Sequence, residues 1–420
     1  MPKKLISFLG AGKYEPCIYK YENKSSTESR FIQKALIELI CKDWEEKDEI
    51  IILLTEKSEK MNWEGETYKG LKYELEEMDI KPEIKTIKIP DGNTEEEVWE
   101  IFNKIFEIIN ERDEIYIDIT HSFRYLPMLA TIILDYAKTL KGIKVKKIFY
   151  GNVFGEPRIM ELQELDRLLD WNKAIDKFLT TGYVEDLYNL SKREYGKLHK
   201  ENRELHELLK NNTGKLKKYM EYLATVRGDE INNFDYDEFK NEIDEIIKII
   251  KKDSSLAPLI PLIEKIKDKF KDFKNNDKYN CLRAVSLCIE FNLIQQAYTL
   301  LQESVITLIC KDLDLDYLDK EYRGLVSSAL NIVARDLPKN EWKIPGKDED
   351  EKKKNLELLK KIVDHLKTNN LTKLSKLYDK LTQYRNNINH AGFNKDKMEP
   401  KKFKNMINEI YRNILNFYSI

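Results

Sequence analysis

Over its first 160 residues the chain alternates short apolar, β-rich runs with amphipathic stretches of helical period, and beyond about residue 165 the strand signals stop. Strands are read at Leu5–Leu9, Glu49–Leu54, Ile84–Ile89, Glu114–Ile119 and Val145–Tyr150, with an edge strand near Arg158–Leu162. Between them lie helical patterns at Arg30–Trp44, Thr67–Glu77, Glu95–Asn110 and Leu126–Leu140. The third of these opens on Thr94-Glu-Glu-Glu97, the pattern of a capping box, in which a hydroxyl and a carboxylate satisfy first-turn amides. Parallel strands need long crossovers, so this alternation predicts a mostly parallel sheet with helices on both faces. Such sheets bind ligands outside the carboxyl ends of their strands, which directs attention to the loops after Leu9 and Ile119.

The rest of the chain carries charged stretches of 3.6-residue period, at Leu168–Phe178, Tyr188–Lys210, Phe239–Lys251 and Tyr279–Asp312. Composition shifts at Asn211-Asn-Thr-Gly214 and again at Lys339–Lys354, which reads as an exposed loop, and no repeat of fixed period is present. The expected fold class is α/β plus all-α. A Rossmann-like domain is expected over residues 1–165, a helical connector over 166–255 and a second helical domain over 256–420.

Composition supports this reading. Only 15 Gly and 11 Pro in 420 residues argue against collagen-like, low-complexity and all-β classes. No apolar run approaches the roughly 18 residues of a membrane span, and Met1–Gly10 reads as a first strand rather than a signal peptide, so a cytoplasmic location is expected. The five cysteines form no C-x-x-C pair, which suits free buried thiols better than disulfides or a zinc site. Formal net charge is −2, yet residues 351–420 hold 16 Lys and Arg against 7 Asp and Glu. A polyanion would therefore meet the chain near its C-terminus, unless that charge is only a solvated helix face.

Three motifs could carry chemistry. In Phe8-Leu-Gly-Ala-Gly-Lys-Tyr14, Gly10 and Gly12 follow a strand where backbone can approach a phosphate or sugar, with Lys13 and Tyr14 beside them. It is neither a Walker A loop nor a full dinucleotide fingerprint, and the plain alternative is a tight turn. In Asp118-Ile-Thr-His-Ser-Phe-Arg-Tyr-Leu-Pro127, Thr120, His121, Ser122 and Arg124 bring hydroxyl, imidazole and guanidinium donors to a helix N-terminus, a combination suited to a phosphate-bearing ligand. The alternative is that Ser122 only caps the helix.

The third motif is Tyr384-Arg-Asn-Asn-Ile-Asn-His-Ala-Gly-Phe393, inside the basic segment. His390 could move a proton on or off an RNA 2′-hydroxyl or 5′-oxygen while Arg385 stabilises charge on the phosphorane, without a metal. Arg193–His199 fits the same loose spacing but lies among ordinary charged helix residues. On one straight helix, five residues at about 100° each leave Arg385 and His390 roughly 140° apart, whereas Asn386 is about 40° from His390. A site assembled from two apposed copies solves that geometry, so a dimer is expected.

Other polar residues read as structural. His365, His199 and His206 lack partners at metal-ligand spacing and are expected at surface or capping positions. Asp312, Asp314 and Asp316 lack the Gly and Glu of a calcium loop and read as a helix end and its turn. Within Ile294–Glu303, a core helix, Gln296 and Glu303 are the polar residues of interest.

In this order, the Gly10-Ala-Gly12 loop, Asp118–Arg124, Gln296-Ala-Tyr-Thr-Leu and Arg385-x4-His390 resemble the CRISPR-associated CARF–HEPN ribonucleases of type III systems. The resemblance implies a CARF domain that binds a cyclic oligoadenylate across a two-fold interface, and a HEPN pair forming a composite, metal-independent RNase site for single-stranded RNA. It makes Arg385 and His390 catalytic, with Asn386 or Asn389 assisting. It makes Gly10, Gly12, Lys13, Tyr14, Thr120, His121, Ser122 and Arg124 candidates for the activator site. Two rivals stay open: a nucleotide-sensing regulator that does not cut, and a phosphodiesterase that degrades the cyclic messenger through Thr120 or His121.

Overall fold

The computed structural model describes residues 1–121, 125–192, 202–253, 256–393 and 398–419. The chain divides into two compact units, Met1–Leu169 and Asp170–Ile420.

The first unit is built on one eight-stranded sheet: β1 (Lys3–Leu9), β2 (Lys20–Tyr21), β3 (Lys24–Ser25), β4 (Glu49–Leu54), β5 (Glu83–Lys88), β6 (Glu114–Asp118), β7 (Lys144–Asn152) and β8 (Arg158–Glu161). Its order is β3-β2-β8-β7-β6-β1-β4-β5. The run β7-β6-β1-β4-β5 is parallel throughout, with Leu5 opposite both Ile50 and Tyr116. Strand order therefore reverses at β1 and β6, which is the switch point where a doubly wound sheet opens a crevice. β8 returns antiparallel to β7, as an edge extension needs only a hairpin.

β1 and β4 are buried almost end to end because helices cover both faces. One core holds Ile6, Phe8, Ile51, Leu53, Ile115 and Ile117 against α4 (Glu95–Ile108) and α5 (Leu126–Lys141). The other holds Leu5, Leu9, Ile50, Ile52 and Leu54 against Phe31, α1 (Ile32–Leu36) and α3 (Leu71–Glu76).

The differences from the sequence reading have local causes. The helix expected at Arg30–Trp44 begins at Ile32, because Ser29 pairs its backbone with Cys17, and it ends in a π-helical turn, Ile37–Cys41. The one expected at Thr67–Glu77 is only α3, since a close turn brings Gly65 (φ +80°) against Gly70 just before it. A helix missed in the sequence, α2 (Glu56–Ser58) running into π-helical Glu59–Trp63, starts on a reciprocal Thr55–Ser58 cap. At α4 the Thr94 hydroxyl accepts from the Glu97 amide as expected, but the Glu97 carboxylate reaches the amide of Asn93 instead of Thr94.

The second unit is helical. Asn211–Gly214 does not interrupt it: helix Arg203–Ala224 runs through, with Asn212 and Thr213 buried. The expected helix Tyr279–Asp312 is two, Asn280–Glu290 and Ile294–Asp312, broken where Asn292 turns left-handed (φ 60°). Lys339–Lys354 is loop only in part, because Asp348 caps a helix that begins at Glu349. Helix Lys320–Arg335 packs on Glu349–Thr368 and Thr372–Asn389, and Ile294–Asp312 packs on Asn280–Glu290 and Thr372–Asn389. Cys41, Cys281, Cys288 and Cys310 are buried thiols and Cys17 is half-buried. No helix among the described residues is long and apolar enough to cross a membrane.

Because Ile117 lies at the switch point and is buried on the α4–α5 side, Ile117→Ala should lower unfolding free energy by about 2–5 kcal/mol. Denaturant unfolding of the two proteins measures it.

Candidate functional site

The carboxyl ends of β1, β4, β5 and β6 enclose a cleft of about 370 Å³ lined by Gly10, Gly12, Tyr14, Thr55, Lys57, Asp91, Thr120 and His121 over a floor of Phe8, Leu53 and Ile89. Its floor is apolar and its rim polar, the usual division between affinity and orientation in a ligand site.

Asp118, at the end of β6, organises the rim. It is fully buried, which pushes its carboxyl upward, and the hydrogen bonds it accepts offset that rise only in part. Ser7 Oγ donates to Oδ2 at 2.6 Å, and the Thr120 amide and hydroxyl both donate to Oδ1. The Thr120 hydroxyl in turn accepts from the Gly151 amide at 2.7 Å. One carboxylate thus ties the ends of β1, β6 and β7 together.

The glycine loop is fixed from the other side. Asn62, fully buried on the π-helical turn after α2, donates from Nδ2 to the carbonyls of Gly10 and Gly12, both at 2.8 Å, and accepts from the Tyr68 hydroxyl. Asn62 was not singled out in the sequence, because nothing local marks an Asn whose partners lie 50 residues upstream. Thr55, Lys57 and Asp91 were missed similarly: Thr55 and Lys57 lie at the start of α2 beyond β4, and Asp91 lies beside Gly92 in the loop after β5.

Tyr14 lies against the loop it terminates. A Cβ at Gly10 would sit 2.3 Å from the Tyr14 hydroxyl, so only glycine admits this ring. The ring stacks on His121 with centroids 4.0 Å apart and 22° between planes, and burial pushes the phenol up to about 12. Arg30 braces it from below, donating to the Tyr14 carbonyl and lying 4.7 Å over the Tyr68 ring. Among the described residues His121 Nε2 is buried without a hydrogen-bond partner, and desolvation pulls the imidazole down to about 4, so it is neutral at pH 7. Lys13 is exposed. Gly10, Gly12, Tyr14, Thr120 and His121 therefore gather at one cleft with Lys13 at its edge, while Ser122 and Arg124 lie outside the described residues.

A second cluster sits in the helical unit. Arg385 and His390 share helix Thr372–Asn389, His390 occupying its C-terminal cap with its amide donating to the Asn386 carbonyl. Arg385 is half-buried: Nε donates to Gln302 Oε1 at 2.8 Å and Nη1 to Asn386 Oδ1 at 3.2 Å. Gln302 is buried on helix Ile294–Asp312 and donates to the Tyr378 hydroxyl, which also meets Ser327 Oγ at 2.8 Å. Asn386, Asn389 and His390 are exposed.

Neither Gln296 nor Glu303, the polar residues of interest on that helix, reaches Arg385. Gln296 is peripheral, with a 3.4 Å bond to the Ala224 carbonyl, and Glu303 pairs with Arg323. Gln302 is the one that reaches Arg385; a lone Gln on the apolar stripe of Tyr298, Leu301 and Val305 was the available signal. His206 is buried rather than superficial, whereas His365 follows expectation in a last helical turn, beside Asn369. His199 and Arg193 lie outside the described residues.

Residues 4–154 match the family described as the CARF domain of the CRISPR system endoribonuclease Csx1. The chain is also similar to the CRISPR-associated protein MJ1674 of Methanocaldococcus jannaschii, at 26% identity over 375 residues, covering 74% of this chain and 54% of the relative. It thus spans about half the length of that relative.

Burial of the neutral His121 imidazole makes stability depend on pH. Between about pH 6.5 and 4 the unfolded chain binds a proton the folded imidazole refuses, so His121 makes stability fall as pH drops through that window. Unfolding midpoints of the unaltered chain should decline there more steeply than those of His121→Gln.

Proposed function

We propose that this CARF-domain chain is a dimeric endoribonuclease, switched on by a cyclic oligoadenylate in the strand-end cleft and cutting single-stranded RNA through Arg385 and His390. The observation that carries the reading is the Arg385–Gln302 bond. It fixes a guanidinium five residues before an exposed imidazole, inside the +9 segment.

The chemistry follows from the groups present. His390 as a base removes the 2′-hydroxyl proton while the 2′-oxygen bonds to phosphorus, and Arg385 stabilises the extra negative charge on the phosphorane. The P–O5′ bond then breaks as the leaving oxygen takes a proton, leaving a 2′,3′-cyclic phosphate and a 5′-hydroxyl. One imidazole at the end of one helix cannot serve both oxygens at once. The His390 of a second copy supplies the other proton, which is why the dimer is part of the proposal. Asn386, bonded to Arg385, orients it, and Asn389, exposed beside His390, contacts a phosphate or base edge in this proposal. No step requires a metal.

In the cleft, the Gly10–Gly12 backbone, Lys13 and Lys57 suit phosphates, and the Tyr14–His121 stack suits a purine face. At about 370 Å³ the cleft is near the small end of ligand sites, so a ring of nucleotides would need the clefts of two copies. The rival in which this cleft itself opens the ring finds less support. The Thr120 hydroxyl is committed to Asp118 and Gly151 and is poorly placed to act as a nucleophile.

Arg385→Ala and His390→Ala should each lower activator-dependent RNA cleavage by roughly 10²-fold or more, in EDTA and with the fold unchanged by circular dichroism. Retained cleavage would move the site elsewhere. Gln302→Leu should lower kcat while leaving RNA affinity within about threefold.

A further inference from the structure

Resting on the ribonuclease reading, we infer that Phe393 is the base-stacking platform of the RNA site and positions the nucleotide beside the scissile phosphate. Phe393 is 92% exposed, the most exposed of the large apolar side chains among the described residues. An isolated exposed aliphatic needs no explanation, but an aromatic presented three residues beyond an exposed imidazole does.

The backbone shows how it is presented. Past His390 the chain takes two left-handed residues in succession, Ala391 (φ 52°) and Gly392 (φ 72°). The first is a conformation that alanine adopts only at a cost. The turn is closed by three backbone bonds: Ala391 N–H to Ile388 O, Gly392 N–H to Asn387 O, and Phe393 N–H to His390 O at 2.9 Å. The first two bonds cap the last carbonyls of helix Thr372–Asn389, and the third holds the Phe393 backbone directly on that of His390, while the ring gains no cover among the described residues. Burial therefore does not account for the arrangement.

Base chemistry does. Every base has a π-face, so stacking on an aromatic ring binds single strands with little sequence demand. A duplex keeps its bases stacked on one another, so the same ring selects unpaired RNA. With Lys401, Lys402 and Lys404 on the next described helix supplying phosphate attraction, Phe393 would bind the base flanking the linkage that Arg385 and His390 attack.

Steady-state cleavage of a short single-site RNA, with cyclic oligoadenylate present, tests it. Phe393→Ala should raise KM roughly 5- to 100-fold, the loss of one base–aromatic stack, with kcat within about threefold, and Phe393→Trp should keep KM near that of the unaltered chain. An RNA with an abasic nucleotide flanking the cleaved linkage should show the same rise, and Phe393→Ala should add nothing to it. Independent, additive losses would overturn the proposal, as would an unchanged KM. A fall in kcat accompanied by loss of dimer in sedimentation would instead make Phe393 an interface residue and also overturn it. Activity absent from the unaltered chain would mark failure of the ribonuclease reading and remove the proposal with it. If cleavage is retained and only the Phe393 variants match the unaltered chain, the ribonuclease reading stands and this proposal alone falls.

Discussion

A buried carboxylate at the end of β6 is the constraint on which the first unit depends. Asp118 is wholly removed from water, so it is tolerable only because Ser7 and Thr120 surround it with donors. Those donors come from β1 and from the loop beyond β6, and Thr120 passes the connection to Gly151 on β7. The parallel order forces these strand ends to lie side by side at the switch point, and Asp118 converts that adjacency into a fixed rim. Asn62 does the equivalent for the glycine loop, holding two carbonyls inward so that Tyr14 can lie over Gly10.

The helical unit uses neutral hydrogen bonding for the same purpose. A half-buried guanidinium would ordinarily take a carboxylate partner. Arg385 is held instead by the amide of Gln302 and by Asn386, with no carboxylate on it among the described residues, an arrangement that suits the proposed phosphate contact. It lies in a segment, residues 351–420, with 16 Lys and Arg against 7 Asp and Glu, despite a whole-chain charge of −2.

Much of this was legible in the sequence. The strands and most helices of the first unit follow from residue period, and the carboxyl-end rule located Gly10, Gly12, Tyr14, Thr120 and His121 at one cleft. What escaped was set by distant partners. Asn62 is an unremarkable Asn until the sheet places it under Gly10 and Gly12, and Lys57 and Asp91 line the cleft only because β4 and β5 end there. The two-residue strands β2 and β3 and the break at Asn292 carry no periodic signal long enough to read. On helix Ile294–Asp312 the period was legible, yet Gln302, the residue that bonds Arg385, was not singled out. Burial of Gln302 against Tyr378 could be found only by asking why a polar residue interrupts an apolar stripe.

In the proposed function, a ligand in the strand-end cleft governs attack by an RNA 2′-hydroxyl at Arg385 and His390. The most direct measurement is turnover of a single-stranded RNA by the unaltered chain in EDTA, with and without cyclic tetra- or hexa-adenylate, beside the same RNA carrying one 2′-deoxy nucleotide at the cleaved linkage. The proposed function requires cleavage only with the cyclic nucleotide, products ending in 2′,3′-cyclic phosphate, and no cut at the deoxy position. Cleavage at the deoxy linkage, or a rate indifferent to both cyclic nucleotides, would contradict it.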